Sequence, residues 1–237
     1  IEILKSLVSR LTVPDNIHIN YIVADFLLHE FDKTYDIVVG NPPYMKITKD
    51  KKLLAAYKRN VYNKDTNNIF SFFIEKAMKL GRVVSFIVPK SLINAPEFNL
   101  TREVMKAKRI ERIIDFGEKG FKGVKIETIS FIIDTNKKPK DTIVESYITE
   151  SVKVHQQSYI TDGTYPYWLI YRNEEFDEVA SKMHFNVFKA YRDRFITKSI
   201  TKPEGKIRVL KSRNIGDNQI INITDYDSYI DSIKDLD

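Results

Sequence analysis

One segment of the chain combines an amide, two prolines and an aromatic ring in an order that could do chemistry, Asn41-Pro42-Pro43-Tyr44. With average residue frequencies this tetrapeptide arises by chance in about one chain per thousand of this length, so its presence needs an explanation. It follows residues 35–39, YDIVV, whose nearly continuous apolar run is typical of a buried parallel strand. Because α/β sheets place their ligand sites at the carboxyl ends of such strands, the segment predicts a ligand site. The alternative is a rigid turn with no chemical role.

Strand and helix patterns alternate around this segment. Helical spacing predicts helices over 1–11, 68–80 and 97–107, and β-branched runs predict strands over 17–23, 35–39, 83–88, 110–116 and 128–133. This alternation predicts an α/β fold with a mainly parallel sheet. The short glycine-containing loop before 128–133 predicts an antiparallel hairpin at the edge of that sheet. Residues 136–141, NKKPKD, are the best candidate for a linker.

The composition excludes several classes of protein. The chain has 237 residues, of which 43% are hydrophobic and 30% charged, as in a folded globular protein of one domain or one domain with part of a second. The absence of cysteine excludes disulfide frameworks, thiolate zinc sites and cysteine nucleophiles. The four histidines are scattered and predict no metal site: His18, His29, His155 and His184. No apolar run approaches the roughly 18 residues that cross a bilayer, and the opening IEILKSLVSR indicates a piece of a longer intracellular protein.

Basic residues are concentrated in two parts of the chain. Residues 189–213 hold nine basic and two acidic residues, a local net charge of +7 in a chain whose total is +6. A second basic cluster covers residues 46–59. Such clusters can neutralise phosphates, but a solvated surface has the same composition, and charge alone does not distinguish the two.

The segment 36–44 resembles motif IV of the N6-adenine DNA methyltransferases, in the gamma-class arrangement of type II and IIG restriction-modification enzymes. Further segments resemble this family's motifs in the same order: 25–26 (DF) motif III, 70–79 (FSFFIEKAMK) motif V, 81–89 (GRVVSFIVP) motif VI and 116–121 (FGEKGF) motif VIII. The resemblance covers residues 1–135. It implies a Rossmann-like fold that uses S-adenosylmethionine (SAM), with part of the catalytic domain over 1–150. Residues 151–237 would hold a linker and the truncated start of a target-recognition domain.

The resemblance also implies roles for individual residues. The side-chain carbonyl of Asn41 and the main-chain carbonyl of Pro42 would accept hydrogen bonds from the N6 amino group of adenine, stabilising the positive charge that develops on methyl transfer. The adenine would first leave the DNA helix. Tyr44 would stack on it, and Phe121 would pack against it from the far side. Asp25, Phe26 and Asn41 would contact SAM, and methyl transfer would need no metal.

The glycine loop that binds SAM in this family is missing from the sequence, because the gamma order places it before residue 1. Residues 113–123, IIDFGEKGFKG, could be mistaken for it, because the beta-class order places that loop after motif IV. A SAM loop leads into a helix, however, whereas residues 124–133, VKIETISFII, are strand-like. We therefore expect this chain alone to bind SAM poorly or not at all, and to be inactive.

Residues 206–215, KIRVLKSRNI, resemble the opening of a target-recognition domain. Lys198, Lys211 and Arg213 would then contact phosphates or bases of double-stranded DNA. The resemblance implies a cytoplasmic, bacterial or archaeal enzyme that contacts no membrane, with a nuclease domain or subunit left open. Two alternatives remain: a methyltransferase for a protein glutamine or a guanine amine of ribosomal RNA, and a non-catalytic DNA-binding fragment. The roughly hundred residues that continue past the resemblance into a basic region favour DNA.

Overall fold

The computed structural model describes residues 1–123, 125–184, 187 and 196–232, and the chain divides into two compact units, Ile1–Ala180 and Ser181–Asp237. The elements of the first unit are α1 (Glu2–Val8), β1 (Tyr35–Gly40), α2 (Lys51–Lys58), α3 (Ile69–Leu80), β2 (Gly81–Pro89), α4 (Asn99–Lys106), β3 (Arg109–Gly117), β4 (Thr128–Asp134), β5 (Asp141–Ser146), β6 (Ser151–Gln156), α5 (Gln157–Ile160) and α6 (Glu174–Ser181), which ends at the division. Two short 3-10 helices, Lys90–Ile93 and Pro96–Phe98, lie between β2 and α4.

A six-stranded sheet in the order β1-β2-β4-β3-β5-β6 organises the first unit. Strand β1 is parallel to β2, and β3 is parallel to β5. Strand β4 is antiparallel to both its neighbours, and β6 is antiparallel to β5. In this sheet, as the described residues form it, β1, β2, β3 and β5 therefore run in one direction. The predicted α/β, Rossmann-like fold with a mainly parallel sheet is confirmed.

The predicted hairpin forms between β3 and β4, but it lies inside the sheet and not at its edge. Strand β4 is inserted between β2 and β3, and the described sheet continues through β5 to β6. No residue of β4 is exposed, since both of its faces are covered. A nearly continuous apolar run such as 129–133, ISFII, is typical of this interior position.

The predicted linker over 136–141 is wrong, because these residues connect two strands of one sheet. They join β4 to β5, and the Arg109 amide donates to the Lys137 carbonyl at 3.1 Å. The Lys137 ammonium also lies 2.9 Å from the buried carboxylate of Asp134. Polar turns and interdomain linkers share the same composition, so these residues alone could not separate the two.

The predicted strand over 17–23 is also wrong. These residues pair with no strand among those described, and Ile19, Ile22 and Val23 are exposed. A strand is stable only where a neighbour satisfies its backbone hydrogen-bonding groups, and the β-branched pattern does not supply that neighbour. The predicted first helix is shorter than expected, since α1 ends at Val8.

The core of the first unit lies between the sheet and the helices α3 and α4. Its fully buried side chains include Phe70, Ile74, Phe98, Met105, Val84, Val88, Ile110, Ile113, Ile129, Phe131 and Ile133. Each contributes about 1.5–3 kcal/mol when it leaves water. Tyr44 and Phe26 pack against this core while remaining partly exposed. The core therefore supports the carboxyl ends of β1 and β2.

The second unit contains two short antiparallel pairs: β7 (Ile207–Val209) with β10 (Ser228–Ile230), and β8 (Ile215–Gly216) with β9 (Gln219–Ile220). A buried polar group holds them together. The amide of Asn214 donates to Asp227 at 2.6 Å, and the guanidinium of Arg208 lies 2.8 Å from the same carboxylate. Across the described part of the whole chain, no helix is long and apolar enough to cross a membrane.

Candidate active site

The segment Asn41–Tyr44 begins where β1 ends, and the start of α3 holds the chain that follows it. The Ile69 amide donates to the Met45 carbonyl at 2.9 Å, and the Ile47 amide donates to the Asn67 carbonyl at 3.0 Å. Pro42 is buried, whereas Asn41 is exposed. The loop therefore presents the amide of Asn41 to solvent from a fixed backbone.

Tyr44 is held by its hydroxyl group, which donates to the Ile87 carbonyl of β2 at 2.8 Å. Its ring meets the ring of Phe70 edge-on, with 6.3 Å between centroids. Burial raises the pKa of Tyr44 to about 12, so the phenol is neutral at physiological pH. The ring is thus oriented by contacts at both its edge and its hydroxyl.

Phe121 lies beside Tyr44. The two ring centroids are 6.4 Å apart, and the ring planes make an angle of 63°. A base held between two parallel rings needs about 7 Å between their centres, because each stacked contact spans about 3.5 Å. The structure brings the two aromatic residues together in an edge-to-face contact, and a base would enter between them only after the rings reorient.

Asp25 and Phe26 lie in a turn that α2 and α3 hold in place. The Leu27 amide donates to Asp25 Oδ1 at 2.9 Å, and the Tyr57 hydroxyl donates to Asp25 Oδ2 at 2.5 Å. Burial, together with this carboxylate, raises the pKa of Tyr57 to about 12. Phe26 stacks on Phe73 with 4.8 Å between centroids. Both oxygens of Asp25 therefore already have a partner within the chain.

Lys76 of α3 completes the support of this turn. Its ammonium donates to the His29 carbonyl at 2.6 Å and to the Leu27 carbonyl at 3.0 Å, and it lies 5.7 Å from the centroid of the Phe26 ring. Burial lowers the pKa of Lys76. Nothing in the sequence distinguished Lys76, because α3 also carries Glu75 and Lys79.

A pocket of about 380 Å³ opens beside Phe26 and β1. It is lined by Ile22, Ala24, Phe26, Phe31, Tyr35, Ile37, Val38, Val39 and Leu80. This lining fits a flat, weakly polar ring such as the adenine of SAM. It carries no charged side chain, and so it offers nothing to the amino-acid end of SAM. The described residues therefore fit one part of SAM, not the whole molecule.

A buried ion pair, which the sequence analysis missed, lies at the carboxyl ends of β2 and β3. The ammonium of Lys90 lies 2.7 Å from the Asp115 carboxylate, whose side chain is fully buried. The available signals were an aspartate inside the apolar run 113–116, IIDF, and a lysine directly after a strand that ends in proline. Neither signal shows that the two residues meet, because 24 residues separate them in the sequence.

The predicted DNA contacts lie in the second unit, and they differ in their surroundings. Lys198 and Arg213 are exposed, and the Arg213 guanidinium lies 5.4 Å from the centroid of the Tyr226 ring. The ammonium of Lys211 lies 3.9 Å from the same centroid and donates to the Tyr226 carbonyl. Lys211 therefore already has a role within the unit. Three other members of the basic region lie outside the described residues: Lys189, Arg192 and Arg194.

The described residues contain no group of three or more histidine, aspartate or glutamate side chains that could hold a metal ion.

Part of this chain is similar to known methyltransferases. Residues 10–121 match a family described as Eco57I restriction-modification methylase. The type II methyltransferase M.TthHB8I of Thermus thermophilus is 29% identical over 120 residues, covering 46% of this chain and 28% of the relative. The chain thus spans less than a third of that relative's length.

Solved structures show weaker similarity. The type IIG restriction endonuclease BpuSI is 17% identical, with a TM-score of 0.45, over 56% of this chain and 20% of that one. A putative class I SAM-dependent methyltransferase from Listeria monocytogenes is 19% identical, with a TM-score of 0.42, over 51% of this chain and 39% of that one. The family match and the Thermus relative confirm the resemblance to a methyltransferase of restriction-modification systems.

Proposed function

From this relationship to restriction-modification methyltransferases, we propose that the protein transfers a methyl group from SAM to the N6 nitrogen of an adenine in double-stranded DNA, at a defined sequence. The observation that carries the proposal is the placement of Asn41-Pro42-Pro43-Tyr44. The segment follows a parallel strand, exposes its amide, and holds its aromatic ring beside Phe121.

The acceptors of this loop explain how a poor nucleophile could react. The lone pair of the adenine amino group is delocalised into the ring, so the nitrogen attacks a methyl group only weakly. The Asn41 amide oxygen and the Pro42 carbonyl would accept its two N–H groups and stabilise the positive charge that develops on the nitrogen. SAM supplies an electrophilic methyl group. Because the prolines and the bonds to α3 fix the loop, the acceptors are in place before substrate arrives.

Tyr44 would bind the adenine after the base has left the helix. Its hydroxyl bond to Ile87 sets the plane of the ring, and its neutral phenol presents an uncharged face to the base. Stacking of this kind contributes about 1–3 kcal/mol per base. Phe121 would cover the other face once its ring moves out of the 63° contact with Tyr44.

The pocket beside Phe26 is where we place the adenine of SAM. Asp25 would accept a hydrogen bond from its amino group, sharing Oδ2 with Tyr57, and Asn41 would lie toward the methyl group. No charged side chain lines the pocket, which supports the expectation that this chain alone binds SAM weakly and is inactive.

DNA is the proposed partner because of the basic second unit, which we propose to be the start of a target-recognition domain. Exposed Lys198 and Arg213 would contact phosphates or bases. The protein would work in the cytoplasm of a bacterium or archaeon, with a nuclease in the same protein or a partner subunit. A protein glutamine or a guanine amine of ribosomal RNA remains the alternative substrate, and a non-catalytic DNA-binding role is the alternative of another class.

The test is to express the full-length protein that contains this chain in a methylation-free host and to map N6-methyladenine in the host DNA. Asn41→Ala removes the proposed acceptor, and Asn136→Ala removes another exposed amide, which lies in the turn between β4 and β5. We expect methylation in one sequence context with the wild type and Asn136→Ala, and none with Asn41→Ala. A soluble, SAM-binding protein that leaves every adenine unmethylated would exclude DNA adenine and favour the alternative substrates.

A further inference from the structure

Asp115 is a completely buried carboxylate near the carboxyl end of β3. Its Oδ1 accepts a hydrogen bond from the Gly117 amide at 2.9 Å. Its Oδ2 lies 2.7 Å from the Lys90 ammonium and accepts a hydrogen bond from the Tyr171 hydroxyl. One side chain thus joins the ends of two strands to a third segment that lies far away in the sequence.

Lys90 connects this carboxylate to the strand that follows Phe121. Its backbone amide donates to the Glu127 carbonyl at 2.9 Å, and its ammonium lies 3.7 Å from the Glu127 carboxylate. The Lys90 side chain is only 18% exposed. The Lys90–Asp115 pair therefore ties Gly117, just before Phe121, to Glu127, just before β4.

Residues 117–121, here called the Phe121 turn, fit closely against their surroundings. The ammonium of Lys119 donates to the Tyr147 carbonyl at 2.8 Å. A Cβ atom on Gly120 would lie 2.1 Å from the Thr128 hydroxyl oxygen, so only glycine allows this approach. Gly117 has a φ of +53°, which most other residues rarely adopt. These contacts restrict the backbone of the turn.

A buried ion pair is a costly way to stabilise a fold. The free energy needed to remove the two charges from water can exceed the free energy of their attraction. Replacing such a pair with well-packed apolar side chains is often neutral or stabilising. The charged pair instead restricts how its two segments are placed, since carboxylate and ammonium must meet at hydrogen-bonding distance and direction. This restriction acts beside the site, because the Phe121 turn carries the ring that contacts Tyr44.

We propose that Asp115, with Lys90, is a positioning residue that holds the Phe121 turn so that Phe121 lies beside Tyr44 at the proposed adenine site. Asp115 touches neither substrate nor cofactor and acts through Phe121. The inference rests on the proposed function for its consequence in catalysis, but the positioning of the turn can be measured without any activity.

A matched control exists at the other end of the sheet. Asp134 is also a buried carboxylate, 2.9 Å from the ammonium of Lys137, and it pairs in register with the starts of β2 and β3. Asp115→Asn and Asp134→Asn therefore make the same chemical change in the same sheet. Asp115 lies next to the site, and Asp134 lies far from it. For Tyr171→Phe, a milder variant that keeps the ion pair, the control is Tyr159→Phe, which removes a hydroxyl bond to Asp177 of 2.6 Å.

The first measurement is backbone hydrogen exchange of the full-length protein, followed by mass spectrometry of peptides. We expect Asp115→Asn to speed exchange in residues 116–123 by about tenfold or more, and Tyr171→Phe to do so less, while both controls leave this peptide unchanged. Unchanged exchange in residues 116–123 in both test variants would overturn the proposal. So would a rise of equal size across all peptides, because that indicates loss of global stability only.

The second measurement is a double-mutant cycle on the rate of methyl transfer in a single turnover. If Asp115 acts through Phe121, Asp115→Asn and Phe121→Leu each slow transfer by about tenfold, and the double variant is no slower than Phe121→Leu alone. Multiplied effects would overturn the proposal. A wild-type protein that methylates no DNA would refute the proposed function alone, since the exchange measurement still decides whether Asp115 holds the turn.

Discussion

Glu75 offers a direct test of how the fold supports the site. This glutamate of α3 is 2% exposed, and its carboxylate accepts hydrogen bonds from the backbone amides of Tyr62 and Asn63. These amides belong to the segment that leads to Asn67 and Asn68, where the chain that follows Tyr44 is fastened. Glu75→Gln keeps the shape of the side chain but turns one acceptor oxygen into an N–H donor that faces a backbone N–H.

Glu75→Gln therefore loses one charge-assisted hydrogen bond and leaves a buried donor without a partner. Bonds of this kind contribute about 1.5–3 kcal/mol, so we expect the free energy of unfolding to fall by about that amount. With an m-value of about 2–3 kcal/mol/M in urea, the unfolding midpoint should shift by roughly 0.5–1.5 M at constant m. Urea titration followed by far-ultraviolet circular dichroism measures this shift.

Glu103→Gln provides the matched control on α4. Glu103 forms a pair with Lys106 at 2.7 Å, one turn along the same helix, and both side chains are partly exposed. Exposed pairs of this type contribute about 0.3–0.5 kcal/mol, so this variant should unfold almost like the wild type. Equal midpoints for Glu75→Gln and Glu103→Gln would refute the reasoning, because the buried carboxylate would then contribute no more than an exposed one.

Three further expectations concern the two units separately. Gly120→Ala should slow methyl transfer by the full-length protein, because the added Cβ would lie 2.1 Å from the Thr128 hydroxyl oxygen. Gly163→Ala should leave the rate unchanged, because a Cβ there would have no atom within 4 Å. Equal rates for the two variants would contradict this expectation. Because burial raises the pKa of Tyr44 from 10.0 to about 12, its contribution to stability should be complete below pH 10 and lost between pH 10 and 12. Tyr44→Phe should make the unfolding free energy less dependent on pH in that range, and an unchanged slope would contradict the assignment. Arg213→Ala should weaken DNA binding and reduce the slope of log affinity against log salt concentration by about 1. Lys211→Ala should instead lower the stability of the second unit, because the Lys211 ammonium donates to the Tyr226 carbonyl. Identical salt slopes for wild type and Arg213→Ala would argue against a phosphate contact.

The sequence predicted those parts of the fold that depend on local pattern. The runs 83–88 and 128–133 are strands, and 68–80 is helical, because each carries a periodicity that one buried environment explains. The strand predicted over 17–23 failed for the opposite reason, since a β-branched pattern is necessary for a strand but a neighbouring edge is also required. Likewise, nothing local distinguishes the turn over 136–141 from a linker.

The candidate site was predictable only where one segment carries it. Asn41 and Tyr44 lie in one four-residue segment, and that motif alone indicated the candidate site. The family resemblance predicted Tyr44 and Phe121 on opposite faces of an adenine, and it did not predict their direct contact at 63°. The Lys90–Asp115 pair and the bond from Tyr57 to Asp25 join residues that are distant in the sequence, and such pairings are set by tertiary packing.

The most direct test of the central claim follows one methyl group. The full-length protein is incubated with double-stranded DNA and with SAM that carries a deuterated methyl group, and nucleosides and protein hydrolysate are then analysed by mass spectrometry. We expect labelled N6-methyl-2′-deoxyadenosine from the wild type and from Asn136→Ala, the control variant for Asn41. With Asn41→Ala we expect the rate to fall by about a hundredfold to a thousandfold, as when one group that stabilises developing charge is removed. Adenine without label in the wild-type reaction, or an Asn41→Ala protein as fast as the wild type, would contradict the account.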